Sequence, residues 1–167
     1  GALDIGNSTH GVWITDSPSN SLLSNVMSGN ENNGIRIFNV NATGNIVRGN
    51  MIGTTAPGNV ALPNAGAGVF IRGGATNNTI GGTLASERNI ISGNAAEGVR
   101  IEDLATAANT IQSNYIGTDS TGALDLGNTS YGVWINNSPG NDVLSNVISG
   151  NDSNGVRISG LNSTSND

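Results

Sequence analysis

A four-residue segment returns six times along the chain, and it leaves few folds open. It reads Gly11-Val12-Trp13-Ile14, Gly34-Ile35-Arg36-Ile37, Gly68-Val69-Phe70-Ile71, Gly98-Val99-Arg100-Ile101, Gly132-Val133-Trp134-Ile135 and Gly155-Val156-Arg157-Ile158. In each copy the two aliphatics are two residues apart, so on a strand they share one face while the residue between them faces away. The glycines recur after 23, 34, 30, 34 and 23 residues. The short interval fits one coil of three brief strands with their turns. The longer ones fit the same coil with a loop added: Gly53–Ala65, Gly117–Thr129 and the smaller Gly82–Arg88.

Longer-range repetition supports the same reading. The segment from Gly1 matches that from Gly122 without a gap to the C-terminus, with roughly three-fifths of positions identical. Residues Gly1–Asn7 read as the tail of a third loop of the first type. Asn33-Gly34 and Asn154-Gly155 are hairpin signals, and a string of hairpins would give an antiparallel sandwich. Hairpins do not return the same strand type once per coil, whereas a parallel solenoid does. Period-two aliphatics and frequent Gly and Asn exclude long helices. Parallel connections within one sheet are right-handed almost always, so the expected fold is all-β. It is a right-handed, single-stranded parallel β-helix of about six coils and three sheets, with loops inserted between coils.

Stacking equivalent residues about 4.8 Å apart sorts the side chains into columns. The inward columns are Val12, Ile14, Ile35, Ile37, Val69, Ile71, Val99, Ile101, Val133, Ile135, Val156 and Ile158; Leu22, Val47, Ile80, Ile111 and Val143; and Met27, Ile52, Ile91, Ile116 and Ile148. Two asparagine rows follow at the turns: Asn25, Asn50, Asn89, Asn114 and Asn146, and Asn20, Asn45, Asn78, Asn109 and Asn141. Asparagine at the same turn of every coil passes amide hydrogen bonds up the stack and tolerates left-handed backbone. These rows are architecture. Facing outward at the variable strand position, Trp13, Arg36, Phe70, Arg100, Trp134 and Arg157 alternate aromatic and arginine. Two readings stand together: a cation–π ladder serving stability, and a platform on which sugar rings stack while arginine takes carboxylate or hydroxyl groups.

Several strings carry a family resemblance: Asn77-Asn78-Thr79-Ile80-Gly81-Gly82-Thr83, Arg88-Asn89-Ile90-Ile91-Ser92-Gly93-Asn94, Glu97-Gly98-Val99-Arg100-Ile101 and Ser113-Asn114-Tyr115-Ile116-Gly117-Thr118-Asp119. Over essentially the whole chain they resemble right-handed parallel β-helix repeat proteins, the pectate-lyase-like superfamily. That resemblance implies the fold and two function classes. One comprises polysaccharide lyases and glycoside hydrolases, and the other large secreted or surface-attached bacterial proteins with repeats of this kind. The lyase scheme it implies needs acidic Ca²⁺ ligands beside an arginine or lysine base, and the register groups no Asp cluster of neighbouring coils with these arginines. The hydrolase scheme needs paired Asp in N-x-D and D-D strings with G-H-G and R-x-K, and none of those strings is present. The single His10 is Tyr131 in the long repeat.

Composition narrows the partners. Net charge is −6 and all six basic residues are arginine, which works against a nucleic-acid partner. There is no cysteine, so disulfides and thiolate metal sites are excluded. No apolar run reaches membrane-spanning length. The loop acids Asp4, Asp119 and Asp125 are weak Ca²⁺ candidates, since Ala61 replaces the acid in the middle loop and the G-G-x-G-x-D string of calcium β-rolls is absent. No other metal or cofactor is expected. N-x-S/T strings such as Asn7-Ser8-Thr9 and Asn41-Ala42-Thr43 follow from the composition.

The expectation for residues 1–167 is a single solenoid segment of a longer repetitive chain, extracellular or on a cell surface, serving as a structural or adhesive stalk or filament. Its partners would be a polysaccharide or cell-surface glycan on the Trp/Arg face and further solenoid at its ends, where unpaired strand edges favour end-to-end association. A polysaccharide lyase or glycoside hydrolase is the alternative.

Overall fold

The computed structural model describes residues 6–167; Asp4, and most of the loop tail read at residues 1–7, lie outside the described residues. Sixteen short strands form three sheets in which every pairing is parallel. The first sheet stacks Val12–Thr15, Ile35–Phe38, Val69–Arg72, Val99–Glu102, Val133–Asn136 and Val156–Ser159. The second stacks Ser21–Leu23, Ile46–Arg48, Thr79–Gly81, Thr110–Gln112 and Asp142–Leu144, and the third Val26–Met27, Met51–Ile52, Ile90–Ile91, Tyr115–Ile116 and Val147–Ile148. Each of the first five coils contributes one strand to each sheet, and the sixth adds Val156–Ser159 to the first. The chain is a parallel β-helix.

The inward columns form one continuous core, with Ile35, Ile37, Ile71, Ile80, Ile101 and Ile116 fully buried. Two expected members differ. Val156 and Ile158 hold register with Val133 and Ile135, yet are 42 % and 47 % exposed, because the last strand has a neighbour on one side only. The glycine that opens each of the first five strands of the first sheet is explained by crowding. A Cβ at Gly98 would lie 2.6 Å from Ile116 Cγ2 and 2.7 Å from the Gly132 carbonyl oxygen, so any side chain there would push neighbouring coils apart.

Corners alternate between two constructions. Odd coils turn from the third sheet to the first through Ser-Gly-Asn, and even coils send out the loops at 53–63 and 117–127. Both loops fold alike: Thr55 N–H donates to Val60 O and Leu62 N–H to Gly53 O, as Asp119 N–H does to Leu124 O and Leu126 N–H to Gly117 O. Antiparallel bridges Thr54–Ala61 and Thr118–Asp125 close them, and Ser120 joins the two by donating from its N–H to Gly58 O and from its Oγ to Pro57 O, each at 2.8 Å. An apolar outward column runs up the third sheet through Val26, Met51, Ile90, Tyr115 and Val147, and the loops cover Met51 and Tyr115 within it. Gly122, with φ +75°, passes so close to the Tyr115 ring that an added Cβ would lie 2.8 Å from it. Beyond the reach of the loops, Val26 and Val147 stay exposed.

Candidate functional site

The first candidate for a polar stripe, the asparagine rows, is wholly occupied by the fold. Asn89 shows the pattern. Its Oδ1 accepts from the Asn50 backbone N–H at 2.9 Å and from Asn50 Nδ2 at 3.0 Å; its Nδ2 donates to Val47 O and to Asn114 Oδ1, both at 2.9 Å. The row from Asn20 to Asn141 repeats this at 2.8–3.0 Å and reaches on to Asn166. Asn89 thus spends two acceptor and two donor positions, its full capacity. The left-handed turn falls on the residue before the asparagine, not on the asparagine itself: Ser19, Gly44, Asn77, Ala108 and Gly140 have positive φ.

A third ladder was missed. It runs Asn7, Asn30, Asn64, Asn94, Asn128 and Asn151, with side-chain bonds of 2.6–2.9 Å. Its members alternate between Ser-Gly-Asn corners and the returning ends of the loops, so their flanking residues differ. The signal was a fixed offset: each lies four residues before a strand-opening glycine.

The outward column of the first sheet stands as the sequence places it. Trp13 pairs with Arg36, Arg36 with Phe70, Phe70 with Arg100, Arg100 with Trp134 and Trp134 with Arg157. The Arg100 guanidinium lies between two rings, 4.9 Å from the Phe70 centroid and 4.6 Å from that of Trp134. Arg36 lies 5.3 Å from Trp13 but turns to Phe38 of its own strand at 4.7 Å, and Arg157 reaches Tyr131 at 5.1 Å and Trp134 at 6.0 Å.

Acids do reach this face, from the end of a single strand rather than as an Asp cluster of neighbouring coils. Glu102, two residues after Arg100 on the same strand, receives Arg100 Nη2 at 2.5 Å and Arg72 Nη1 at 3.1 Å; Asp103 takes Arg72 Nε at 3.3 Å. Residues i and i+2 on one strand necessarily share a face, which puts Glu102 beside Arg100. The middle of the column is therefore electrically closed. Its lower end is not: Arg36 has no carboxylate within ion-pair distance among the described residues, and its Nε is shut from water without a hydrogen-bond partner. Burial, then the charge of Arg72, lowers the Arg36 pKa.

His10 borders that end. Its ring meets Trp13 edge-on at 5.7 Å, and its Nδ1 accepts the Asn33 backbone N–H at 3.3 Å. Burial, then Arg36, lowers its pKa. In the second copy Tyr131 replaces it, and the Tyr131 hydroxyl engages Arg157 Nη1 while Trp134 Nε1 donates to Ser159 Oγ at 2.9 Å.

The loop acids are spent locally. Asp119 accepts from Thr121 Oγ1 at 2.7 Å and from the N–H groups of Leu124 and Ala123 at 3.1 and 3.2 Å, and the Thr121 bond leads the causes that lower its pKa. Asp125 Oδ1 accepts the Gly127 N–H at 3.0 Å. Among the described residues no group of three or more His, Cys, Asp or Glu is placed to hold a metal ion, and no helix is long and apolar enough to cross a membrane. A cleft of about 260 Å³ lies between Asn7, Val26, Met27 and Leu62, away from the Trp/Arg column. No protein-family model, curated protein or solved structure matches the chain.

Proposed function

We propose that the chain is a segment of an extracellular or cell-surface β-solenoid, a structural or adhesive stalk or filament, that binds glycan on its Trp/Arg face. The observation that carries the reading is the outward column itself. Trp13, Phe70 and Trp134 recur on alternate coils, about 10 Å apart by strand spacing, with arginines between them in strict register. Trp13, 56 % exposed, leaves a ring free for stacking. The three asparagine ladders and the dry core supply the stiffness that such a platform needs. The acid on this face, Glu102, is held by two arginines, which suits positioning better than proton transfer.

The test is a polysaccharide binding and turnover screen, with and without Ca²⁺, run on the parent protein and on the Trp13→Ala/Trp134→Ala variant. Binding without turnover, lost in the variant, is the expected result. Product release or a new unsaturated-sugar absorbance would move the protein to the lyase and hydrolase class. Absence of both would leave a scaffold whose outward column serves its own stability.

A further inference from the structure

The arginines of the outward column divide into satisfied and unsatisfied. Arg72 and Arg100 share Glu102, Arg72 also meets Asp103, and Arg157 is engaged by the Tyr131 hydroxyl. Arg36 alone among these combines a buried, partnerless Nε with no carboxylate in reach among the described residues. It is also held in place, since the guanidinium rests 5.3 Å from the Trp13 ring and 4.7 Å from the Phe38 ring. A partly desolvated cation fixed between aromatic plates keeps its charge only at a cost that an incoming anion removes.

We infer that Trp13, Arg36 and Phe38 form an oxyanion subsite, taking one carboxylate or sulfate group attached to a ring that stacks on Trp13. The source of that group as a sugar substituent rests on the glycan reading above; the affinity of the corner for an oxyanion does not. The second copy of the repeat lacks the subsite. Ser159 stands in place of Phe38, and Tyr131 in place of His10 supplies a hydroxyl to the arginine. Hence the face is graded along its length: anionic sugars are read at Arg36, and the Phe70–Arg100–Trp134 stretch offers stacking with its charge already balanced by Glu102.

The experiment has two arms on the same protein. In the first, inorganic sulfate is titrated against chloride at equal ionic strength while the Arg36 Nε–H resonance is followed by NMR. Sulfate is expected to shift it saturably, and Arg48→Gln, a change on another sheet, is expected to leave that response intact. An Arg36 resonance indifferent to sulfate overturns the subsite. In the second arm, a uronic-acid oligosaccharide, a sulfated oligosaccharide and their neutral parent are titrated against wild type and Arg36→Gln. The acidic chains are expected to bind at least about tenfold tighter than the neutral one, the usual reach of one charge-assisted contact, and Arg36→Gln is expected to erase that margin. Equal affinity for acidic and neutral chains overturns the subsite while the glycan reading stands. A sulfate response with no oligosaccharide bound upholds the oxyanion site and removes the glycan reading.

Discussion

Two kinds of column climb this solenoid, one at its corners and one on its outer face, and both consist of like residues repeated once per coil. In the asparagine ladders each side chain meets the same partners at every level, so the middle of the stack is interchangeable with its neighbours. The Trp/Arg column has equal regularity of position and none of environment. Arg100 is enclosed by two rings and a carboxylate, whereas Arg36, two coils away, has rings without a carboxylate. Repetition of sequence thus fixes where a side chain stands; the hydrogen-bond and charge balance around it decides whether it is finished. A completed column is structural, and an incomplete one has capacity left for a ligand.

Substitutions can break this contrast. The largest effect is expected from Asn89→Ala, which removes four buried hydrogen bonds at once and leaves the Asn50 backbone N–H without its acceptor. At about 1 kcal/mol or more for each, urea unfolding should show a loss of about 4 kcal/mol. Ile101→Ala, in the adjoining core, should cost about 3 kcal/mol through lost burial and a cavity. Arg100→Ala should cost only about 1 kcal/mol, because its guanidinium is partly exposed and Glu102 keeps its pair with Arg72. If Arg100→Ala matches Asn89→Ala, the outer column is as architectural as the corners and the contrast fails.

Smaller effects sharpen the comparison between the two copies. His10 has a lowered pKa in the folded chain, so the unfolded chain takes up a proton first and stability declines as pH falls below the unfolded value of 6.5. His10→Tyr, which copies the second repeat, should flatten that decline in pH-resolved unfolding; an unchanged slope would place its origin elsewhere. Asp119 is a depressed carboxylate, so its contribution is present above its unfolded value of 3.8 and lost as pH drops further through the folded value. Protection factors for hydrogen exchange at Ala123 and Leu124, whose N–H groups it accepts, should fall over that range. The loop at 53–63, with Thr55 in the corresponding place, should not respond.

How much of this was legible depended on whether a property repeats in the sequence itself. The strand glycines and their paired aliphatics do, and with them came the coil number, the three sheets, the core and the outward column. Two asparagine ladders were plain because they follow the same strand each time. The third was hidden because Asn64 and Asn128 close loops while Asn30 and Asn94 close tight corners. The covering of Met51 and Tyr115 was invisible for another reason. Alternation turns Ile116 inward and Tyr115 outward, but nothing in the repeat says what covers an outward apolar ring until the loop that shields it is seen. The ion pairs around Glu102 depend on a single, unrepeated acid, so the repeat pattern carried no trace of them.

The corner that the third ladder guards has one more consequence. Whether the chain crosses it in a few residues or travels out through the loops at 53–63 and 117–127, the asparagine four positions before the glycine brings it back to the same point. That makes the corner a splice port: chain can be lengthened, shortened or exchanged there without the interior registering the change. Duplication by pairs of coils would also preserve the order of aromatic and arginine on the first sheet. Such a chain can grow in length and vary its loops independently, one by copying and the other by insertion, with neither disturbing the other.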